Sequence, residues 1–170
     1  MDIATTMTAG TRTQFGELLE RHRGIVLKVA GTYAWQPEDR ADLAQEIAAQ
    51  LWRAYPGYDP ARSFSTWMYR IALNVAISFV RGDGRRQQHA VPLDEDLHDV
   101  GDDGVDHEAE QQLRLLRRCI EQLEPLNRAL LLLYLEDRSH REIAEVLGIS
   151  EGNVATKLNR LKQRIRNELT

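Results

Sequence analysis

The stretch REIAEVLGISEGNVATKLNR, residues 141–160, decides the fold. Ser139 and Glu142 form an S-x-x-E capping box that opens a helix, with Ile143, Ala144, Val146 and Leu147 facing inward. Gly148 follows as a left-handed C-terminal cap, a backbone conformation that glycine adopts without a Cβ penalty. Ser150 then caps a further helix, in which Val154, Leu158, Leu161 and Ile165 recur at spacings of four, three and four. Small Ala144 lets the two helices approach closely. The arrangement is a helix-turn-helix, whose second helix lies in the major groove of DNA. Its outward side carries Asn153, Thr156, Lys157, Arg160, Gln163 and Arg164. Lys and Arg reach phosphates or guanine edges, Asn and Gln suit adenine, and Thr suits several partners. Helical spacing by itself also describes an amphipathic helix with a solvated face. The tight turn, the two caps and the basic side together favour DNA.

The whole chain has a formal charge of −4, which would repel DNA. That charge is local. Residues 94–110 (DEDLHDVGDDGVDHEAE) hold nine acidic residues and no Lys or Arg, so the remainder carries +5. Residues 53–86 hold six arginines against Asp59 and Asp83, and from Lys157 onward five Lys or Arg stand against Glu168. Clustered basic charge is the footprint of a phosphate-binding surface.

At 170 residues the chain suits one ordinary domain or two small ones. No run alternates with period two, so no strand is expected and the fold class is all-α. Helical periodicity runs over residues 13–86, broken at PGYDPARS (56–63), and returns over 109–170. Between them residues 87–108 are polar, acidic and without an apolar period, a flexible linker. The expectation is two small helical domains joined by an acidic tether. Cys119, the single cysteine, excludes an internal disulfide and a Cys-rich zinc site. The N-terminus shows no signal-peptide pattern, and the longest apolar run, residues 129–135, is too short to cross a bilayer. The chain therefore reads as cytoplasmic, with no membrane insertion.

In the C-terminal part a helix over 108–123 precedes one begun by Pro125. In the N-terminal part, EDRADLAQEIAAQLWRAY (38–55) places Ala44, Ile47, Ala48, Leu51 and Trp52 inward and Asp42, Gln45, Glu46 and Arg53 outward. On the helix SFSTWMYRIALNVAISFVRGDGRR (63–86), Thr66, Arg70, Asn74 and Ser78 fall four apart as one polar file among apolar residues. That pattern is a nearly buried helix with one wet edge, ending in Arg81, Arg85 and Arg86.

These segments, DLAQEIAAQLWRAY, FSTWMYRIALNVAISFVR and REIAEVLGISEGNVATKL in that order, resemble the extracytoplasmic-function (ECF) class of bacterial RNA polymerase sigma factors. The resemblance covers about residues 15–86 (the family's region 2) and 110–169 (region 4). It implies two helical domains that dock on core RNA polymerase, with contacts to the β′ clamp helices and the β flap. Asp42, Gln45 and Glu46 would meet the clamp helices. Arg62, Ser63, Arg70, Asn74 and Arg81 would melt and read the −10 promoter element. The helix with Asn153, Thr156, Lys157, Arg160, Gln163 and Arg164 would read the −35 element. Unstacked bases suit cations beside aromatic rings, for which Trp67 and Tyr69 are candidates, although Trp67 reads better as core and Phe64, next to the loop, reads as either. The resemblance also implies an anti-sigma factor as regulator. Ser78, Asn153, Lys157 and Leu161 depart from the residues frequent in the family, and Lys157 lacks the bidentate fork of arginine.

The acidic tether either lies in a basic polymerase channel, or covers the basic faces, or serves as a spacer. Asp99, Asp103, Gly104 and Glu110 match calcium-loop positions, but Gly101 stands where a ligand is needed, so no metal is expected. His98 and His107 are isolated as ligands. No Gly-rich phosphate loop or nucleophile–base motif is present, so neither catalytic residues nor cofactors are expected. Two other readings stay open: a stand-alone helix-turn-helix regulator, and a sigma-like mimic that sequesters an anti-sigma factor. The mimic should lack the basic residues Arg160, Lys162, Arg164 and Arg166 that this chain keeps.

Overall fold

The computed structural model describes residues 9–82 and 107–169. All regular structure among them is helical. The N-terminal half begins with α1 (Ala9–Arg21) and α2 (Arg23–Tyr33), which meet at a bend on His22. Next comes α3 (Pro37–Ala54), started by a proline that needs no hydrogen bond there and by Glu38 and Asp39, which suit the positive helix N-terminus. A single 3-10 turn, Tyr55–Gly57, carries Pro56 and ends the helix. The last helix of this half is α4 (Phe64–Gly82).

The buried stripe of α3 is Leu43, Ile47 and Leu51, at spacings of four. Of the face expected from the sequence, Ile47 and Leu51 are buried, Ala44, Ala48 and Trp52 flank the core half-buried, and Leu43 completes the stripe instead of Ala44. Asp42, Gln45, Glu46 and Arg53 are exposed, as expected. On α4, Phe64, Met68, Tyr69, Ala72, Leu73 and Ala76 are buried, and the polar file Arg70, Asn74 and Ser78 is exposed.

The C-terminal half contains α5 (His107–Gln122), α6 (Pro125–Leu135), α7 (His140–Leu147) and α8 (Glu151–Leu169). A double turn closes α6: Arg138 N–H donates to Leu133 O and Asp137 N–H to Tyr134 O, both at 3.0 Å. Asp137 holds the left-handed position at φ 59°, where aspartate is tolerated better than most side chains.

The two halves share one core. Tyr33, Met68, Tyr69 and Leu73 belong to the same buried cluster as Leu130, Leu133, Ile143 and Val146. Helix α4 packs on α7, and α2 on α6. Residues 83–106, with most of the acidic tether and of the calcium-loop match, lie outside the described residues.

Candidate promoter and polymerase interfaces

The helix-turn-helix forms through the capping chemistry read from sequence. Ser139 Oγ accepts the Glu142 amide at 3.1 Å, and Ser150 Oγ accepts the Asn153 amide at 3.1 Å. Gly148 sits at φ 70°, with its N–H and that of Ile149 both directed to Ala144 O. The Glu142 carboxylate does not reach back in a full capping box; it lies 3.4 Å from Arg138 Nη1. Ile143, Val154, Leu158 and Leu161 are buried between the helices. Asn153, Thr156, Arg160, Gln163 and Arg164 are exposed along one side of α8, about 28 Å long at 1.5 Å per residue. Lys157 is half-buried at the margin of that side, and Arg164 is engaged with Glu168 at 3.3 Å. The side opposite the core is therefore a basic and amide-bearing strip suited to a groove.

The loop before α4 is tied down by its own side chains. Tyr58 Oη donates to Arg62 O at 2.7 Å, and the Ala61 amide donates to Asp59 Oδ1 at 3.0 Å. Ser63 caps α4, its Oγ accepting the Thr66 amide at 3.4 Å and lying 3.1 Å from Ser65 Oγ. This cap explains the helix start and commits a hydroxyl read from sequence as a DNA contact. Arg62, Arg70, Asn74 and Arg81 remain exposed. Tyr58, Phe64 and Trp67 pack as a ring cluster with centroids 5.0–5.4 Å apart beside the loop. Trp67 is half-buried there, whereas Tyr69, read as available to unstacked bases, is 1% exposed. Its cover comes from the other half of the chain.

Helices α3 and α4 bound an open groove of about 540 Å³. Glu46 and Gln50 line it from α3, and Asn74, Ser78 and Phe79 from α4. The structure thus brings one of the residues assigned to polymerase and one assigned to the −10 element to the same groove. Among the described residues no three His, Cys, Asp or Glu side chains are grouped to hold a metal, and no helix is long and apolar enough to cross a membrane.

Residues 18–86 match the sigma-70 region 2 family and residues 113–165 the sigma-70 region 4 family. The RpoE ECF RNA polymerase sigma factor of Cereibacter sphaeroides is 31% identical over 166 residues, covering 92% of this chain and 86% of that protein. The chain belongs to the ECF group of the sigma-70 family. A second ECF relative, SigE of Mycolicibacterium smegmatis, is 29% identical over 157 residues; the match covers 90% of this chain and 60% of that protein. The fold is also that of the sigma factor RpoE of Bartonella quintana, solved in complex with the anti-sigma factor NepR. That structure has a TM-score of 0.69 and 17% identity, covering 92% of this chain and 96% of the other.

In this sigma factor the residues the sequence reading did not single out lie at the joint between the halves. Tyr33 Oη donates to Pro125 O at 2.6 Å, and the Arg128 guanidinium lies 5.8 Å from the Tyr33 ring centroid. Arg128 is only 7% exposed, yet satisfied, since Nε donates to Leu123 O at 3.1 Å and Nη2 to Glu121 O at 2.6 Å. Burial lowers its pKa from the ordinary arginine range, with Tyr33 and Glu121 opposing. Lys28 Nζ donates to Glu136 Oε2 at 2.8 Å, which raises the Lys28 pKa. Arg138 Nη1 donates to Ser65 Oγ at 3.0 Å while its guanidinium stands 5.0 Å from the Tyr69 ring centroid. The only local signals were a lone arginine inside the apolar run LNRALLLL and the arginine after a turn aspartate.

Proposed function

We propose that this ECF sigma factor binds core RNA polymerase, brings it to specific promoters and helps open the −10 region, working in the cytoplasm and performing no chemical step itself. The observation that supports this best is the exposure of three sets of side chains on one scaffold: Asp42, Gln45 and Glu46 on α3; Arg70, Asn74 and Arg81 on α4, of which Asn74 shares a groove with Glu46; and the basic strip of α8. We assign the first to the β′ clamp helices, the second with Arg62 to the −10 element, and the strip to the −35 element. In the same reading residues 13–86 and 109–170 act as separate domains joined through 87–108, region 4 also meets the β flap, and an anti-sigma factor regulates the chain.

Two readers separated along a promoter require the halves to part, since α2 and α4 are packed on α6 and α7. The described arrangement is therefore the resting one, and docking on polymerase exchanges the joint for polymerase contacts. Multi-round transcription from a library of promoter fragments tests the assignment. Core enzyme plus this protein should yield specific transcripts, and core enzyme alone none. Transcripts indifferent to its addition across a library that includes its own genome's promoters would refute the role.

A further inference from the structure

The joint bears an open cleft of about 330 Å³ that none of the assigned promoter or polymerase contacts uses. Arg21, His22 and Lys28 line it from the N-terminal half, and Arg138 and Glu136 from the C-terminal half. The charge in it is lopsided: three cations and an imidazole stand around one carboxylate. Lys28 is engaged by that carboxylate at 2.8 Å, and Arg138 is shared between Ser65 and, at 3.4 Å, Glu142 outside the lining. Arg21 has no ion pair among the described residues. His22 Nδ1 lies 3.0 Å from Leu18 O, a group that only accepts. That nitrogen therefore carries a proton, and Nε2 is left for another partner.

Cations gathered in a concave wall concentrate a positive field, and a multivalent anion relieves their mutual repulsion. Guanidinium forks match pairs of phosphate oxygens, while a lysine adds a point charge. The volume lies near the lower end of small-ligand pockets, about 300–1,000 Å³, and matches a small molecule. We propose that this cleft binds a small diphosphate-bearing anion, held by Arg21, His22 and Lys28 of one half and Arg138 of the other.

Such a ligand touches both halves only while they are packed together. It therefore stabilises the closed arrangement by mass action and restrains the opening that promoter reading needs. This consequence rests on the proposed function; the binding itself does not.

The test is titration calorimetry of the full chain with inorganic pyrophosphate, and in parallel with ADP, at constant ionic strength and without polymerase or DNA. Saturable one-to-one binding is expected. Pyrophosphate equal to ADP identifies the phosphates as the whole determinant, whereas tighter ADP adds a contact to the nucleoside. Arg21→Ala, on an exposed helix end, should weaken either by roughly tenfold with unchanged circular dichroism. Arg160→Ala on α8 should leave both affinities unchanged. No saturable heat up to millimolar pyrophosphate would overturn the proposal. So would equal weakening by Arg160→Ala and Arg21→Ala, which would place the anion on the DNA-facing surface. Neither result bears on the promoter role, which is measured with polymerase present.

Discussion

Replacing Tyr33 with phenylalanine removes a single oxygen from the joint and leaves the buried ring in place. In the closed arrangement that oxygen donates its proton to Pro125 O at 2.6 Å, across the boundary between the halves. Pro125 is in the first turn of α6, where the amide four residues on is its regular partner, so the carbonyl is not orphaned. The loss is then the net value of one hydrogen bond, about 1 kcal/mol, rather than the larger penalty of a stranded acceptor. That shifts the closed-to-open ratio by about fivefold. Adding Arg138→Ala removes the bond to Ser65 and the stacking over Tyr69, for a combined effect of about 2–3 kcal/mol, or roughly 30- to 150-fold. Small-angle X-ray scattering reads the outcome. A compact chain of 170 residues has a radius of gyration of roughly 16 Å, and separation of the halves raises it. The double variant should expand while its circular dichroism stays helical. A radius equal to that of the wild type, with the fold intact, would refute the view that these side chains hold the joint.

Arg160→Ala should weaken recognition of the upstream promoter element by about 1–3 kcal/mol if it reads a base, measured by competition between matched and altered −35 sequences. Asp42→Ala with Glu46→Ala should impair capture by core polymerase in a pull-down while leaving the melting temperature within about 1–2 °C of wild type, because both carboxylates are exposed. Loss of helical signal in that variant would overturn the assignment of this face. Alkaline pH should destabilise the closed fold, because burial raises the Tyr33 phenol pKa well above its ordinary value of 10.0, against the opposing pull of Arg128. Below pH 10 the phenol is protonated in folded and unfolded chains alike. Above it only the unfolded chain gives up the proton, so stability falls as pH rises further. Thermal melts between pH 8 and 11 should show this decline, and Tyr33→Phe should lessen it, the remainder coming from the Tyr69 phenol, whose pKa burial also raises.

What the sequence disclosed was local chemistry. Ser139, Gly148 and Ser150 act on amides and carbonyls within a few residues of themselves, so the turn of the helix-turn-helix was legible in detail. On α3, Ile47 and Leu51 were legible as core, but Leu43 and Ala44 both continue an i, i+4 apolar series and only packing against α2 and α4 chooses between them. Ser63 offered its capping signal openly, three residues before Thr66, but its place in a basic loop made it look like a DNA contact. Tyr69 could not be placed at all from its own surroundings. Its cover is Arg138, whose direction depends on the reversal at Asp137 and on two halves meeting far apart in sequence.

The most direct measurement is fluorescence anisotropy of a labelled promoter fragment titrated with this protein, with and without bacterial core RNA polymerase. Tight, sequence-dependent binding is expected only when the core enzyme is present, because docking opens the joint and sets the two readers apart. Equally tight binding to the duplex by the protein alone would contradict it and favour an independent helix-turn-helix regulator.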